Sequence, residues 1–174
     1  MKVINLFGGP GSGKSTTAAG LFYQMKCEGL EVELVQEYAK DMVWEQRYNI
    51  LEDQIYVFAK QQRRMARLKN HGLQYVITDS PIPLGLCYTR PADMTDAFRD
   101  LVMQVFNSYN NHNFYLTRNV CYNPVGRNQK TEQAAIEVDD KLKHMLSSMR
   151  IPHTTVLGGS SAVQDILACV RLMS

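Results

Sequence analysis

Residues 7–16, Phe7-Gly8-Gly9-Pro10-Gly11-Ser12-Gly13-Lys14-Ser15-Thr16, carry the spacing Gly-x-x-x-x-Gly-Lys-Ser complete from Gly8 to Ser15. Before them stands Val3-Ile4-Asn5-Leu6-Phe7, a short and mostly apolar run with the character of a strand. After them, residues 16–25 hold small and apolar side chains at helix-compatible spacing. A glycine loop between a strand and a helix has a definite physical use. The glycines let successive backbone N–H groups turn inward around an anion, and the helix adds the positive end of its dipole. Gly8 through Thr16 are therefore the expected phosphate cradle of a bound nucleotide. Lys14 is placed to reach the β- and γ-phosphates, and the Ser15 hydroxyl to hold Mg²⁺.

The 174 residues suit one domain with a core of its own, spanning residues 1–174. Hydrophobic content of 45 % and charged content of 21 % are ordinary for a globular chain. No apolar run approaches the roughly 20 residues of a membrane span, and the first strand starts at once. The expectation is a protein of the cytoplasm without a membrane partner. Cys27, Cys87, Cys121 and Cys169 are far apart with no C-x-x-C pair, which predicts reduced thiols rather than zinc or disulfides. The net charge of +2 does not announce a nucleic-acid binder; it allows one only if the cations gather on one face.

Strand and helix patterns alternate through the chain. Strands are predicted at 2–7, 31–35, 74–78, 113–117 and 153–157. Helices are predicted at 14–28, 39–48, 50–69, 92–109, 131–149 and from 161 onward. This alternation specifies an α/β fold, a five-stranded parallel sheet with helices on both faces. Ligands of such sheets bind beyond the carboxyl ends of the strands, so the residues just past each strand are candidates by position.

Glu37 comes after the second strand, where its carboxylate would take the proton of an attacking hydroxyl. The alternative is a solvated or structurally paired glutamate. Asp79 ends the third strand and would bind Mg²⁺, directly or through water, if that strand lies beside the first; otherwise it caps a helix. Arg118 and Arg127 bracket a polar, turn-rich loop at about 118–130. This suits either a lid whose guanidinium groups close over transferring phosphates or an exposed basic loop. Gly158 and Gly159, after the fifth strand, join the nucleotide-binding set. Lys60, Arg63, Arg64 and Arg67 form a basic stripe on one helical face, either solvated or placed to hold substrate phosphate.

With these residues in place, the chain resembles the P-loop kinases of the nucleoside and nucleotide kinase group over nearly its whole length. The resemblance implies ATP and Mg²⁺ as cofactors and Glu37 as the base. Asp53-Gln54-Ile55-Tyr56 is similar to the Phe-Gln-x-Tyr stretch of deoxynucleoside kinases, whose glutamine reads a pyrimidine edge, so Gln54 and Tyr56 become substrate candidates. In those enzymes an arginine comes directly after the acidic residue; here Ser80 stands in that place. Glu37-Tyr38-Ala39, Asp79-Ser80-Pro81 and Gly126-Arg127-Asn128-Gln129 resemble the kinase-like AAA proteins of bacteriophages and the ribosylnicotinamide kinase domain. Some phage members phosphorylate 5-hydroxymethyluracil in DNA.

The expected function is transfer of the γ-phosphoryl group of ATP to a hydroxyl of a nucleoside-type acceptor. The favoured acceptor is the 5-hydroxymethyl group of 5-hydroxymethyl-2'-deoxyuridine within DNA, with Arg63 and Arg67 tracking the backbone. A free deoxynucleoside or deoxynucleotide, or a regulatory NTPase without an acceptor, are the alternatives.

Overall fold

The computed structural model describes residues 1–119, 122–125, 129 and 131–172. Arg127, the second expected lid arginine, lies outside the described residues, as does the Gly126-Arg127-Asn128 part of its motif. The strands are β1 (Lys2–Phe7), β2 (Val32–Val35), β3 (Tyr75–Thr78), β4 (Asn110–Thr117) and β5 (Thr154–Leu157). The helices are α1 (Lys14–Cys27), α2 (Tyr38–Trp44), α3 (Tyr48–Glu52), α4 (Gln54–Ala66), α5 (Asp96–Asn107), α6 (Glu132–Ser148) and α7 (Ala162–Leu172), with a 3₁₀ helix at Ile82–Tyr88. All sheet pairs are parallel, in the order β2-β3-β1-β4-β5.

Both faces of the central strand are covered, and its sequence shows why. Val3 and Phe7 point to one face, where they join Met65, Phe98, Phe106 and Leu142. Ile4 and Leu6 point to the other, against Leu21, Met25, Phe114 and Ile166. A strand buried on both sides loses the polar alternation of a half-exposed one. Each large side chain so buried contributes about 1.5–3 kcal/mol. Asn5 interrupts the apolar run, yet its amide is satisfied. It donates to Asn111 Oδ1 at 2.8 Å and Asn113 Oδ1 at 2.9 Å, joining β1 to β4 below the site. The polar stretch Asn110-Asn111-His112-Asn113 thereby belongs to β4, which starts three residues before the strand predicted at 113–117.

Several helices also differ from the sequence-based expectation, and the one predicted at 39–48 ends at Trp44. The helix predicted at 50–69 is divided because Asp53 caps α4, its side chain accepting from the Tyr56 N–H at 3.0 Å. Such a cap contributes about 1 kcal/mol and favours a fresh start at Gln54. The helix predicted from 92 begins at Asp96 because Thr95 caps it. The segment after β3 forms the 3₁₀ helix, entered through Pro81, and its buried Ile82, Leu84 and Leu86 join the core.

Candidate active site

The phosphate loop sits at the carboxyl end of β1, in the middle of the sheet. Gly11 and Gly13 hold φ of 80° and 92°, the left-handed region that glycine enters without a Cβ penalty. Gly13 starts α1 with no side-chain cap, and the first turn contains no acidic residue. The amide end of the helix is thus left to an anion rather than to the protein's own oxygen. Lys14 folds back over the loop, its Nζ donating to Gly8 O at 2.7 Å and Gly9 O at 2.9 Å. Gly158 is needed for contact rather than for flexibility. A Cβ there would meet Ser12 O at 2.5 Å and Thr117 O at 2.6 Å, so the end of β5 packs directly beneath the loop. Gly159 comes next, with φ 141°.

Because β3 pairs directly with β1, Asp79 emerges beside the loop, the condition on which its metal role depended. It is 3 % exposed and accepts the Glu37 N–H at 3.0 Å through Oδ1, tying the exit of β3 to the start of α2. Ser15 and Asp79 border one cavity of about 250 Å³, together with Glu37, Asp41 and Trp44. A serine hydroxyl and a carboxylate are hard oxygen donors. Among the described residues no group of three or more His, Cys, Asp or Glu is placed to hold a metal. Mg²⁺ suits this sparse set, since it commonly takes one or two protein oxygens and completes its shell with water and substrate phosphates.

Glu37 is half-buried between that cavity and a larger one of about 500 Å³. Burial pushes its carboxyl pKa above the ordinary 4.5, Lys14 opposes the shift, and Asp79 adds to it. The larger cavity joins the phosphate loop, from Pro10 to Thr16, to a chamber made by α2–α4 and the 3₁₀ helix. Val43, Leu51, Val57, Phe58 and Leu84 give that chamber apolar walls; Gln54, Gln61, Tyr48 and Tyr88 add neutral polar groups. Burial drives the Tyr88 phenol far above its usual pKa, so it stays a donor. Arg90 and Glu52 stand at the rim, joined by an ion pair of 3.2 Å. Val125 and Gln129, from the expected lid at 118–130, also line this space.

The remaining candidates are placed unequally. Gln54 lines the chamber, 8 % exposed, its Nε2 donating to Leu51 O at 2.6 Å. Tyr56 does not line it; its ring lies edge-on to Tyr38 at 6.0 Å and under Lys60 at 5.0 Å. Arg63 and Arg67 are exposed on the outer flank of α4, at about 100° per residue well away from the Gln54 and Gln61 face. Arg64 of the same stripe is paired with Asp41 at 2.5 Å. Arg118 does not line the cavity either. It pairs with Asp139 at 2.7 Å and donates to Pro10 O at 2.5 Å, so here it braces the loop instead of reaching over it.

Sequence reasoning passed over Gln61 and Asp139. Gln61 Oε1 accepts the Tyr38 N–H at 3.0 Å, which fixes the entry to α2 just after Glu37. A buried polar side chain at a helix position otherwise apolar was the available signal in both cases, but only the fold shows which backbone group each one meets.

The sequence profile of a family described as AAA domain matches residues 3–162, and the chain belongs to that family. No curated protein matches it in sequence. Among solved structures, it is similar to the NadR protein in complex with NAD and AMP-PNP, with TM-score 0.71 and 17 % identity. That likeness covers 98 % of this chain and 49 % of NadR, so the chain spans about half of NadR's length. It is also similar to deoxyadenosine kinase from M. mycoides bound to dCMP and dCDP, with TM-score 0.60 and 17 % identity, covering 99 % of this chain and 100 % of the other. The same enzyme with dATP gives TM-score 0.54 and 20 % identity, with both chains fully covered. The fold is that of the P-loop nucleoside and nucleotide kinase group, as the sequence resemblance implied. Among the described residues no helix is long and apolar enough to cross a membrane.

Proposed function

We propose that this member of the AAA domain family is an ATP-dependent kinase acting on a hydroxyl of a free nucleoside-type acceptor. The observation that carries this reading is a single cavity with two ends. One end is the phosphate loop with Lys14, the other an apolar and amide-lined chamber, and Glu37 stands between them. An acceptor in the chamber presents its hydroxyl to Glu37, which takes the proton. A bond forms from the acceptor oxygen to the γ-phosphorus, the bond to the β–γ bridging oxygen breaks, and ADP leaves. Lys14 and the uncapped amide end of α1 are placed to stabilise charge on the phosphoryl oxygens. Mg²⁺, held by Ser15 and Asp79, would neutralise charge on the phosphates when bound. Glu37's raised pKa suits this work, because a base nearer neutrality drives proton transfer better than an ordinary carboxylate.

A second reading keeps the acceptor within DNA, as a 5-hydroxymethyl pyrimidine swung out of the helix. What favours it is Arg63 and Arg67, exposed and without an ion pair among the described residues. Against it, Arg64 is already engaged by Asp41, Lys60 lies on Tyr56, and the stripe faces away from the chamber. The deciding experiment is phosphate transfer from γ-labelled ATP to free nucleosides, free nucleotides, ordinary DNA and hydroxymethylated DNA. The proposal predicts label in a free nucleoside-type acceptor. Label only in hydroxymethylated DNA establishes the second reading, and ATP hydrolysis with no labelled acceptor removes both.

A further inference from the structure

The transfer chemistry leaves one buried ion pair unused. Asp139, in the middle of α6, accepts the Gly9 N–H through Oδ1 at 2.8 Å and pairs through Oδ2 with Arg118 Nη2 at 2.7 Å. Arg118 Nη1 donates to Pro10 O at 2.5 Å. The two side chains are only 13 % and 12 % exposed. A Cβ on Gly9 would run into the Asp139 carboxylate, and one on Gly11 would meet Arg118 Nη1 at 3.0 Å. The Gly9–Gly11 arc is therefore backed by a carboxylate and a guanidinium at contact distance.

A carboxylate is a poor neighbour for a loop that receives several phosphate charges, because repulsion at a few ångströms is strong where water is excluded. Its hydrogen bond to Gly9 is tolerable only while its charge is cancelled. The geometry points to Asp139 and Arg118 as a charge-balanced pair of positioning residues for nucleotide binding. Asp139 fixes the Gly9 amide; Arg118 cancels the Asp139 charge and fixes the Pro10 carbonyl. This gives Arg118 a task different from a lid arginine that touches the transferring phosphates. The inference rests on the loop's reading as a nucleotide site and is independent of the acceptor.

The two roles for Arg118 separate in a double-mutant cycle read by calorimetric titration with Mg²⁺ and ATP, with thermal melts alongside. Arg118→Gln leaves the carboxylate uncancelled, and the Kd for ATP rises at least about tenfold, as expected for an unpaired buried charge. Adding Asp139→Asn removes that charge while its amide oxygen still accepts the Gly9 N–H. The double variant recovers to within about threefold of the unmodified protein. A double variant that binds no tighter than Arg118→Gln overturns the proposal and makes Arg118 a direct phosphate contact. So does an Arg118→Gln variant with unchanged affinity. If Arg118→Gln does not melt cooperatively, Arg118→Lys keeps the cancelling charge and stays within about fivefold; a loss beyond tenfold contradicts the pair. Unmodified protein that fails to bind ATP removes the nucleotide reading itself, and the proposal with it, an outcome visible in a separate arm.

Discussion

On one side of the cavity the phosphate loop offers backbone: left-handed glycines, an uncapped helix end and a lysine folded onto two carbonyls. On the other side α2–α4 and the 3₁₀ helix offer side chains, apolar walls set with Gln54, Gln61, Tyr48 and Tyr88. On the proposed reading, the first wall grips a group common to every nucleoside triphosphate and needs only one local geometry. The second wall, proposed to fit a particular acceptor, is assembled from residues up to about 50 positions apart. Glu37 stands at the seam, held by Asp79 from the neighbouring strand. Damage to the backbone wall should therefore abolish turnover with any acceptor, whereas damage to the side-chain wall should change which acceptor is used.

The largest effect is expected at Lys14. Lys14→Ala removes the charge proposed to act on the transferring phosphates, and kcat should fall by at least ~10²-fold with the fold intact by circular dichroism. Near-normal turnover in this variant would break the division between the two walls. Glu37→Gln comes next: kcat should fall about 10²-fold while calorimetric ATP affinity stays the same, because only the acceptor hydroxyl loses its base. Weakened ATP binding with kcat preserved would move Glu37 to the phosphate wall. Asp79→Asn should lose less, and raising Mg²⁺ should restore part of the rate if the carboxylate assists a bound metal as proposed. An effect indifferent to Mg²⁺ would leave Asp79 only its bond to the Glu37 amide.

The smallest effect tests the outer stripe. If the acceptor is free, Arg63→Ala with Arg67→Ala leaves its KM unchanged, and DNA affinity shows little salt dependence. If DNA is the substrate, the unmodified protein shows a log–log salt slope of about −0.9 per phosphate contacted, and the double variant flattens it by up to about two units.

The same contrast explains what could be read from the chain. The phosphate loop was legible because a tight turn around an anion requires glycine at fixed spacing, and Gly8 to Ser15 shows that requirement in eight consecutive residues. The strand order, which sets Asp79 next to the loop, comes from pairing between distant segments that no local pattern contains. In the chamber between α2–α4 and the 3₁₀ helix, Gln54 is the one lining residue that the Asp53–Tyr56 pattern singles out. Tyr56, two positions on, falls on another face of α4 once Asp53 fixes where that helix begins. Arg118 was expected in a lid rather than against the loop, and its partner was not foreseen: Asp139 is one acidic residue in a helix that also holds Glu132, Glu137 and Asp140. Its place on the apolar face with Ala135, Val138 and Leu142 sets it apart, but only packing shows that it meets Gly9.

The claim that Glu37 is the base between the two walls is tested most directly by the pH dependence of kcat/KM for the acceptor. The base works only when deprotonated, and burial raises its pKa above the ordinary 4.5. Activity should accordingly fall, as pH is lowered, from a pH higher than an exposed glutamate would give, with a limb of unit slope. In Glu37→Gln that limb should disappear, leaving a low and flat rate across the same range. An identical limb in both proteins would assign the titration to another group and contradict the account.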